Sequence, residues 1–391
     1  MMRESIHICN FGPIKDAKIE DIRPLTVFIG ESASGKSTIM KVIALFRYLY
    51  KKTNIREYLK NSKISKSPFR ISFDYLIKTN GLEEYVSNNT FVEYSVIIGD
   101  ETYTITYKDR KFSNKYVKIS DSNLIFTKGV FVSEHRNMIP NWSSKSASNK
   151  GANLGFYFDA TFNDFEEATE HSKEINMDFL GVSMMTKKQN LKKTYFIIPD
   201  NKEYEPLELR FASSGIQTAI PLLTMVKYFA SKFDFKDAFR RSVLTYLYEG
   251  EMLTKFNPAI ELKDMKKIVH IHIEEPELSL YPSAQIMLLD DIVRYAFVEK
   301  SSDRDVGIMI ATHSPYIINQ LNVLLKRGYY QNYQAFLNKD DLRVYKLEDG
   351  KLETLNAIDS LSGDVIINTL DLSKQMDNIY SEYNSIGKNV D

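Results

Sequence analysis

The chain has 391 residues, of which 43% are hydrophobic and 26% charged, with Lys plus Arg and Asp plus Glu at 51 each and a single cysteine. That balance belongs to a soluble globular protein with room for one large core or two ordinary ones, and it excludes disordered and fibrous classes. No run reaches the ~18 to 20 apolar residues of a membrane span, and the opening Met-Met-Arg-Glu-Ser-Ile-His lacks a signal-peptide layout, so the expectation is a cytoplasmic protein without membrane contact. Lone Cys9 forbids an internal disulfide and leaves no zinc-ligand cluster to staple the fold.

In chain order, Ile6–Cys9 reads as a strand, Gly12-Pro13 as a turn, and Leu25–Ile29 as a β-branched run suited to a buried sheet position. A helix follows, with Ile39, Met40, Ile43, Phe46, Leu49 and Tyr50 at helical spacing. It fades into a basic stretch. Between Lys41 and Arg70 nine basic residues (Lys41, Arg47, Lys51, Lys52, Arg56, Lys60, Lys63, Lys66, Arg70) face Glu57 alone. From Arg70 to about Ser133 the residues alternate, and Gly99-Asp100 turns a hairpin, which predicts an antiparallel β subdomain. Asn141–Gly155 is rich in Ser, Asn, Gly and Lys and predicts a mobile loop carrying Trp142. Acids dominate 159–178. The simplest account of both charge runs is two solvated faces, with pairing across a subunit interface as an alternative.

Strand and helix then alternate: strands at Tyr195–Ile198, Ile268–Ile273 and Ile308–Ala311, helices at Gly215–Ala230, Ala284–Val298 and Tyr316–Lys326. This predicts a mostly parallel sheet faced by helices. A short hairpin turning at Gly350 and a helix close the chain.

Four segments carry chemistry. Gly30-Glu31-Ser32-Ala33-Ser34-Gly35-Lys36-Ser37 fits G-x-x-x-x-G-K-[ST] without mismatch, between a buried strand and a helix. Backbone N–H groups of this Walker A loop and its helix N-terminus, with Thr38 behind them, face phosphate oxygens. Lys36 neutralises the β and γ phosphates and the Ser37 hydroxyl ligates Mg²⁺. Ile268–Ile273 ends in Glu274-Glu275-Pro276-Glu277; an NTPase needs one acid at the magnesium shell and one at the attacking water, which assigns Glu274 and Glu275 to Walker B. Gly307–Ala311 delivers Thr312-His313-Ser314-Pro315 to the same edge, making His313 a γ-phosphate sensor. Ser213-Ser214-Gly215-Ile216-Gln217 opens a helix and offers a second phosphate site.

Together these motifs resemble the ABC-type ATPase superfamily, in particular the RecF, SMC and OLD-like cytoplasmic branch. Asn10-Phe11-Gly12-Pro13-Ile14, Glu274-Glu275-Pro276-Glu277-Leu278-Ser279-Leu280-Tyr281-Pro282 and Ala311-Thr312-His313-Ser314-Pro315 carry the likeness. The resemblance implies an α/β ABC-ATPase head: a P-loop mostly parallel sheet, an antiparallel β subdomain and a helical insertion. The nucleotide-binding core would be 1–50 and 190–391, with the helical insertion at about 222–266 and 51–189 inserted. It further implies a head-to-tail homodimer or higher homo-oligomer, with ATP on the Walker A loop of one chain capped by Ser214, Gly215 and Gln217 of the other. Glu275 would be the base, Glu274 the magnesium-side acid and His313 the switch histidine. The chain departs from the pattern in having Glu274 where Asp is usual, no second signature glycine, and Tyr281 where OLD-like proteins carry His.

Only about fifty residues follow Asp341, too few for a nuclease domain. The expectation is therefore an ATPase that senses phage infection and controls a separate toxic effector, as in the PARIS and Septu antiviral systems. Two alternatives stand beside it: a RecF-like DNA repair or replication ATPase contacting nucleic acid through Lys41–Arg70, and a scaffold that holds ATP with negligible turnover.

Overall fold

The computed structural model describes residues 2–64, 73–144, 155–171, 174–189, 192–201, 203–244, 247–248, 252–258, 261–330 and 332–386. Its strands are β1 (Met2–Phe11), β2 (Ile14–Ile19), β3 (Leu25–Ile29), β4 (Val86–Ile98), β5 (Glu101–Lys108), β6 (Lys111–Phe112), β7 (Ile125–Val132), β8 (Glu174–Met177), β9 (Val182–Gln189), β10 (Lys192–Pro199), β11 (Leu207–Glu208), β12 (Lys266–Glu274), β13 (Asp305–Thr312), β14 (Leu342–Glu348), β15 (Lys351–Thr354), β16 (Asn356–Ile358) and β17 (Val365–Ile367). Helices α1 (Lys36–Asn61), α2 (Phe73–Thr79), α3 (Ile139–Ser144), α4 (Phe156–His171), α5 (Ser214–Ser231) and α6 (Phe235–Phe239) are followed by helices over Pro282–Val293, Pro315–Tyr330 and Leu370–Ser385. No helix among the described residues is long and apolar enough to cross a membrane.

One eleven-stranded sheet, in the order β6-β5-β4-β1-β2-β15-β14-β3-β13-β12-β7, organises the α/β fold. Its β14-β3-β13-β12-β7 part is wholly parallel. All five residues of β3 are buried at its centre, which explains their unbroken apolar run. The hairpin strands β4 and β5 pair antiparallel as expected and join β1, so they extend this sheet.

Three local readings change. The alternating run before Thr79 forms α2 over its described part, because Tyr75, Leu76 and Ile77 are too short a signal to separate helix from strand. Strand β7, read with the antiparallel region, pairs parallel with β12 at the sheet edge. Trp142 sits in α3 with 7% exposure, edge-on to Phe158, so it is core rather than a loop residue. The remainder of that loop, 145–154, lies outside the described residues.

The charge runs are not two free faces. Helix α1 continues to Asn61 and carries six of the basic residues into intrachain contacts. Lys41 meets Glu274, Arg47 meets Glu4, and Arg56 donates to the Asn114 and Val117 carbonyls. Lys66 and Arg70 lie outside the described residues. Acids of α4 meet cations of other elements in the same chain: Asp164 and Glu167 pair with Lys128, Glu166 and Glu170 with Lys193, and Glu167 also with Arg241.

A buried polar group pins α1 to the sheet. Arg47 donates to Glu4 Oε2 from Nε at 2.9 Å and from Nη2 at 2.6 Å, and its Nη1 lies 3.2 Å from His272 Nε2. His272 Nδ1 is 3.1 Å from the Val130 carbonyl, which places its proton on Nδ1 and leaves Nε2 to accept from Arg47. Burial and the Arg47 charge hold His270 and His272 well below the ordinary histidine range. Both imidazoles are neutral. Removing one partner of such a pair strands a charge in the core, at a cost of about 3 to 5 kcal/mol. Glu4→Gln should lower unfolding stability by that amount in urea denaturation, and adding Arg47→Met should recover most of the loss.

Candidate active site

The parallel register lines up four strand ends. Ile29 pairs with Thr312, Ala311 with Glu274, and Ile273 with Val132. The residues that follow therefore emerge side by side: Gly30, His313, Glu275 and Ser133. In an open α/β sheet this carboxyl edge is where ligands bind.

The phosphate loop is shaped by close approach. A Cβ on Gly30 would lie 2.4 Å from the Leu347 carbonyl oxygen, so β14 forms a floor that only glycine clears. Gly35 has φ +107°, and a side chain there would meet Ile14 and Pro13. Ala33 is also left-handed, at φ 61°. Glu31, Ser32 and Ala33 are exposed, Ser34 and Ser37 half-buried, Thr38 buried. Lys36 Nζ donates to the Gly30 and Glu31 carbonyls at 2.8 and 2.7 Å. Burial lowers its pKa to about 8, against the upward pull of Glu275 and Glu277.

Glu274 lies on the same face of β12 as His270 and His272, toward α1, and is 1% exposed. Its Oε2 accepts from the Glu134 N–H at 3.5 Å; Oε1 has no hydrogen bond and lies 3.4 Å from Lys41 Nζ. Glu275 turns away from the strand at φ 43°, its N–H donating to the Ala311 carbonyl. Its Oε1 stands 3.6 Å from His313 Nε2, while His313 Nδ1 is 3.4 Å from Lys36 Nζ. Burial and then the Glu134 charge raise the Glu275 pKa, with His313 opposing them. The backbone N–H of His313 donates to Glu277 Oε1 at 2.6 Å, and Glu277 Oε2 is buried without a hydrogen bond. Lys36, Glu275 and His313 thus converge from three strand ends.

The second phosphate segment stands elsewhere. Ser213 caps α5 with extended backbone, and Ser214 is exposed. A Cβ on Gly215 would lie 2.9 Å from the Ser279 carbonyl, so the helix start rests on the loop after Glu275. Gln217 Nε2 is committed to the Arg210 and Ala212 carbonyls of its own chain. Among the described residues no hydrogen bond or ion pair joins Ser214, Gly215 or Gln217 to the phosphate loop.

Sequence reasoning missed the residue that ties these parts together. Arg136, fully buried, donates from Nη1 to the Glu274 and Ser133 carbonyls (2.7 and 3.2 Å), from Nη2 to the Glu275 carbonyl (2.5 Å), and from Nε to the Thr218 carbonyl of α5 (3.2 Å). Burial lowers its pKa to about 10, with four nearby glutamates pulling the other way, so it stays cationic. Ser133-Glu134-His135-Arg136 follows a buried strand as the other site strings do, and that was the available signal. A planar five-donor fork serves three elements here, which an ammonium cannot do. Arg136→Lys should therefore cost about 2 to 4 kcal/mol in denaturant unfolding and lower ATP turnover, with the largest turnover loss if the Glu275 backbone shifts.

The AAA ATPase domain matches residues 1–205 and 101–318 of the chain. No curated protein matches it in sequence. Among solved structures, the SMC head domain from Thermotoga maritima is similar at 11% identity and TM-score 0.36, covering 90% of this chain and 97% of that one. The recombination mediator protein RecF in the RecFOR pathway aligns at 11% identity and TM-score 0.35, over 91% and 98%. The ATP-binding cassette MJ0796, a dimer bound to ADP and Pi, aligns at 11% and TM-score 0.30, over 89% and 96%. On the extent of the domain match, this chain belongs to the AAA ATPase domain family.

Proposed function

We propose that the chain binds ATP with Mg²⁺, hydrolyses it in a head-to-tail dimer, and uses that cycle to control a separate effector protein in antiviral defence. The observation that carries the hydrolytic reading is the convergence of Lys36, Glu275 and His313 within 3.6 Å steps of one another. The residues also fit the metal. Glu274 Oε1 is a buried carboxylate oxygen without a hydrogen bond, and Ser37 opens α1 beside Lys36, so these two would hold the magnesium shell. When bound, the ion screens phosphate charge and withdraws electrons from the γ-phosphate.

The chain's own residues do the rest. Lys36, now folded onto the loop carbonyls, would exchange them for β and γ phosphate oxygens. Glu275 takes the proton of the attacking water, and its raised pKa makes it a stronger base than an exposed glutamate. His313 stands between Glu275 and Lys36 and would meet the γ-phosphate. Exposed Ser214 at the N-terminus of α5 faces outward, which supports its use by a second chain.

Support for a protein partner comes from the helix Leu370–Ser385 and the residue after it: Ile379, Tyr380, Tyr383 and Ile386 are 60 to 74% exposed and fall at helical spacing. Such a stripe is the form in which a helix docks on another protein.

Glu275→Gln should cut turnover by about 10² to 10⁴-fold while keeping ATP bound, and should accumulate an ATP-dependent dimer in light scattering. Adding Ser214→Arg should return the monomer. Unchanged turnover in Glu275→Gln would overturn the hydrolytic assignment. For the effector, the Glu275→Gln chain is purified from its own host with neighbouring genes intact, and what stays bound is identified by mass spectrometry. A stoichiometric protein supports the reading; nucleic acid without protein replaces it with DNA repair.

A further inference from the structure

Away from the nucleotide edge, the hairpin of β1 and β2 brings three ligand-type side chains to one point. His7 and Cys9 are two residues apart on β1 and so share a face, opposite buried Ile6 and Ile8. Asp16 on β2 pairs directly across from Cys9. Cys9 Sγ lies 3.1 Å from His7 Nε2 and 3.7 Å from Asp16 Oδ1, and His7 Nε2 lies 2.7 Å from that same oxygen. All three ligand atoms fall within 4.8 Å of one another.

The arrangement is not that of a nucleophile. A Cys–His–Asp relay needs the thiol on one imidazole nitrogen and the carboxylate on the other, so that the acid orients the base. Here both contacts converge on Nε2. Convergence of three different ligand atoms on one point is instead what a metal ion requires. With zinc bonds of about 2.0 to 2.3 Å, tetrahedral ligands stand about 3.4 to 3.6 Å apart. The observed separations of 2.7, 3.1 and 3.7 Å bracket that value, so side-chain rotation alone suffices.

We propose that His7, Cys9 and Asp16 form a site for a zinc-class divalent cation. A thiolate with an imidazole and one carboxylate is too soft for Mg²⁺ or Ca²⁺ and suits Zn²⁺. On binding, the Cys9 thiol gives up its proton and His7 adopts the tautomer with its proton on Nδ1. The fourth position falls to water or to Glu93, which is exposed and pairs across from His7 on β4. Lys18, across from His7 on β2, is already paired with Glu20 at 2.9 Å. Lys351 stands opposite Asp16 on β15 and is the cation with which the metal shares that carboxylate. Counting cysteines alone leads to the expectation of no zinc-ligand cluster; under this proposal one cysteine is enough because the sheet register supplies the other ligands.

The test uses the untagged, reduced full chain, its nucleotide site first filled with ATP and excess Mg²⁺. Cobalt(II) should produce thiolate charge-transfer absorption, and elemental analysis after gel filtration should find one Zn²⁺ per chain. Cys9→Ser should lose the cobalt band and the bound zinc, with unchanged circular dichroism because Cys9 lies on the outer face. Asp16→Asn should weaken zinc binding by about tenfold or more. Zinc retained equally by Cys9→Ser, or absence of a cobalt–thiolate band while Cys9 still reacts fully with a thiol reagent, would overturn the proposal.

Discussion

Everything at the nucleotide edge depends on the parallel register of β3, β13, β12 and β7. Side chains from four distant parts of the sequence meet because Ile29, Thr312, Glu274 and Val132 end within about one residue of each other along the sheet. A slip of one residue in any pairing would carry that strand's terminal residues out of line with the others and exchange its side chains between the two faces of the sheet. The buried guanidinium of Arg136 then fixes what register leaves loose. It holds the carbonyls of Glu274 and Glu275 where the chain leaves β12, and reaches α5 through Thr218. Backbone position at the two acids and at the helix that carries Ser214 is thereby set by one side chain.

The electrostatics of the edge follow from what surrounds each charge. Glu134, Glu274, Glu275 and Glu277 crowd one region, with Lys36, Lys41, Arg136 and His313 among them. Burial, with the Glu134 charge behind it, pushes Glu275 up, and burial pushes Lys36 down against the pull of the neighbouring glutamates, the directions in which proton transfer and ligand exchange become easier. Glu274 and Glu275, adjacent in sequence, differ because the first ends a strand, sealed against α1, and the second has turned out to a third exposure.

Much of this was legible in the residues. Leu25–Ile29, Ile268–Ile273 and Ile308–Ala311 announce themselves as apolar runs that end in polar strings, and the glycines of 30–35 mark the loop. Strand β7 was not, for a physical reason. It is the edge of the sheet, so its Lys128 leaves the core to meet Asp164 and Glu167, and the resulting mixture of polar and apolar residues imitates a half-exposed antiparallel strand. With that strand misplaced, Arg136 and Glu134 had no site to belong to. The extent of α1 was hidden for a related reason, since its last turns bury Asn54, Glu57 and Tyr58 beside lysines and show no clean apolar stripe. The His7, Cys9 and Asp16 grouping was within reach, because a tight turn at Gly12-Pro13 already sets Cys9 against Asp16.

The floor of the phosphate loop has a further meaning for how this molecule is made. Gly30 rests on the carbonyl of Leu347, and β3 has β13 on one side and β14 on the other. Both neighbours are synthesised some three hundred residues after it. A nascent chain that already displays the complete Gly30–Ser37 string has no surface to lay it on, and its most apolar strand has two unpaired edges until β13 is made and one until β14 is made. Nucleotide would thus find its loop fully floored only after residue 347 has been made, and the long wait of Leu25–Ile29 is the stage of biosynthesis at which a holding chaperone would matter most.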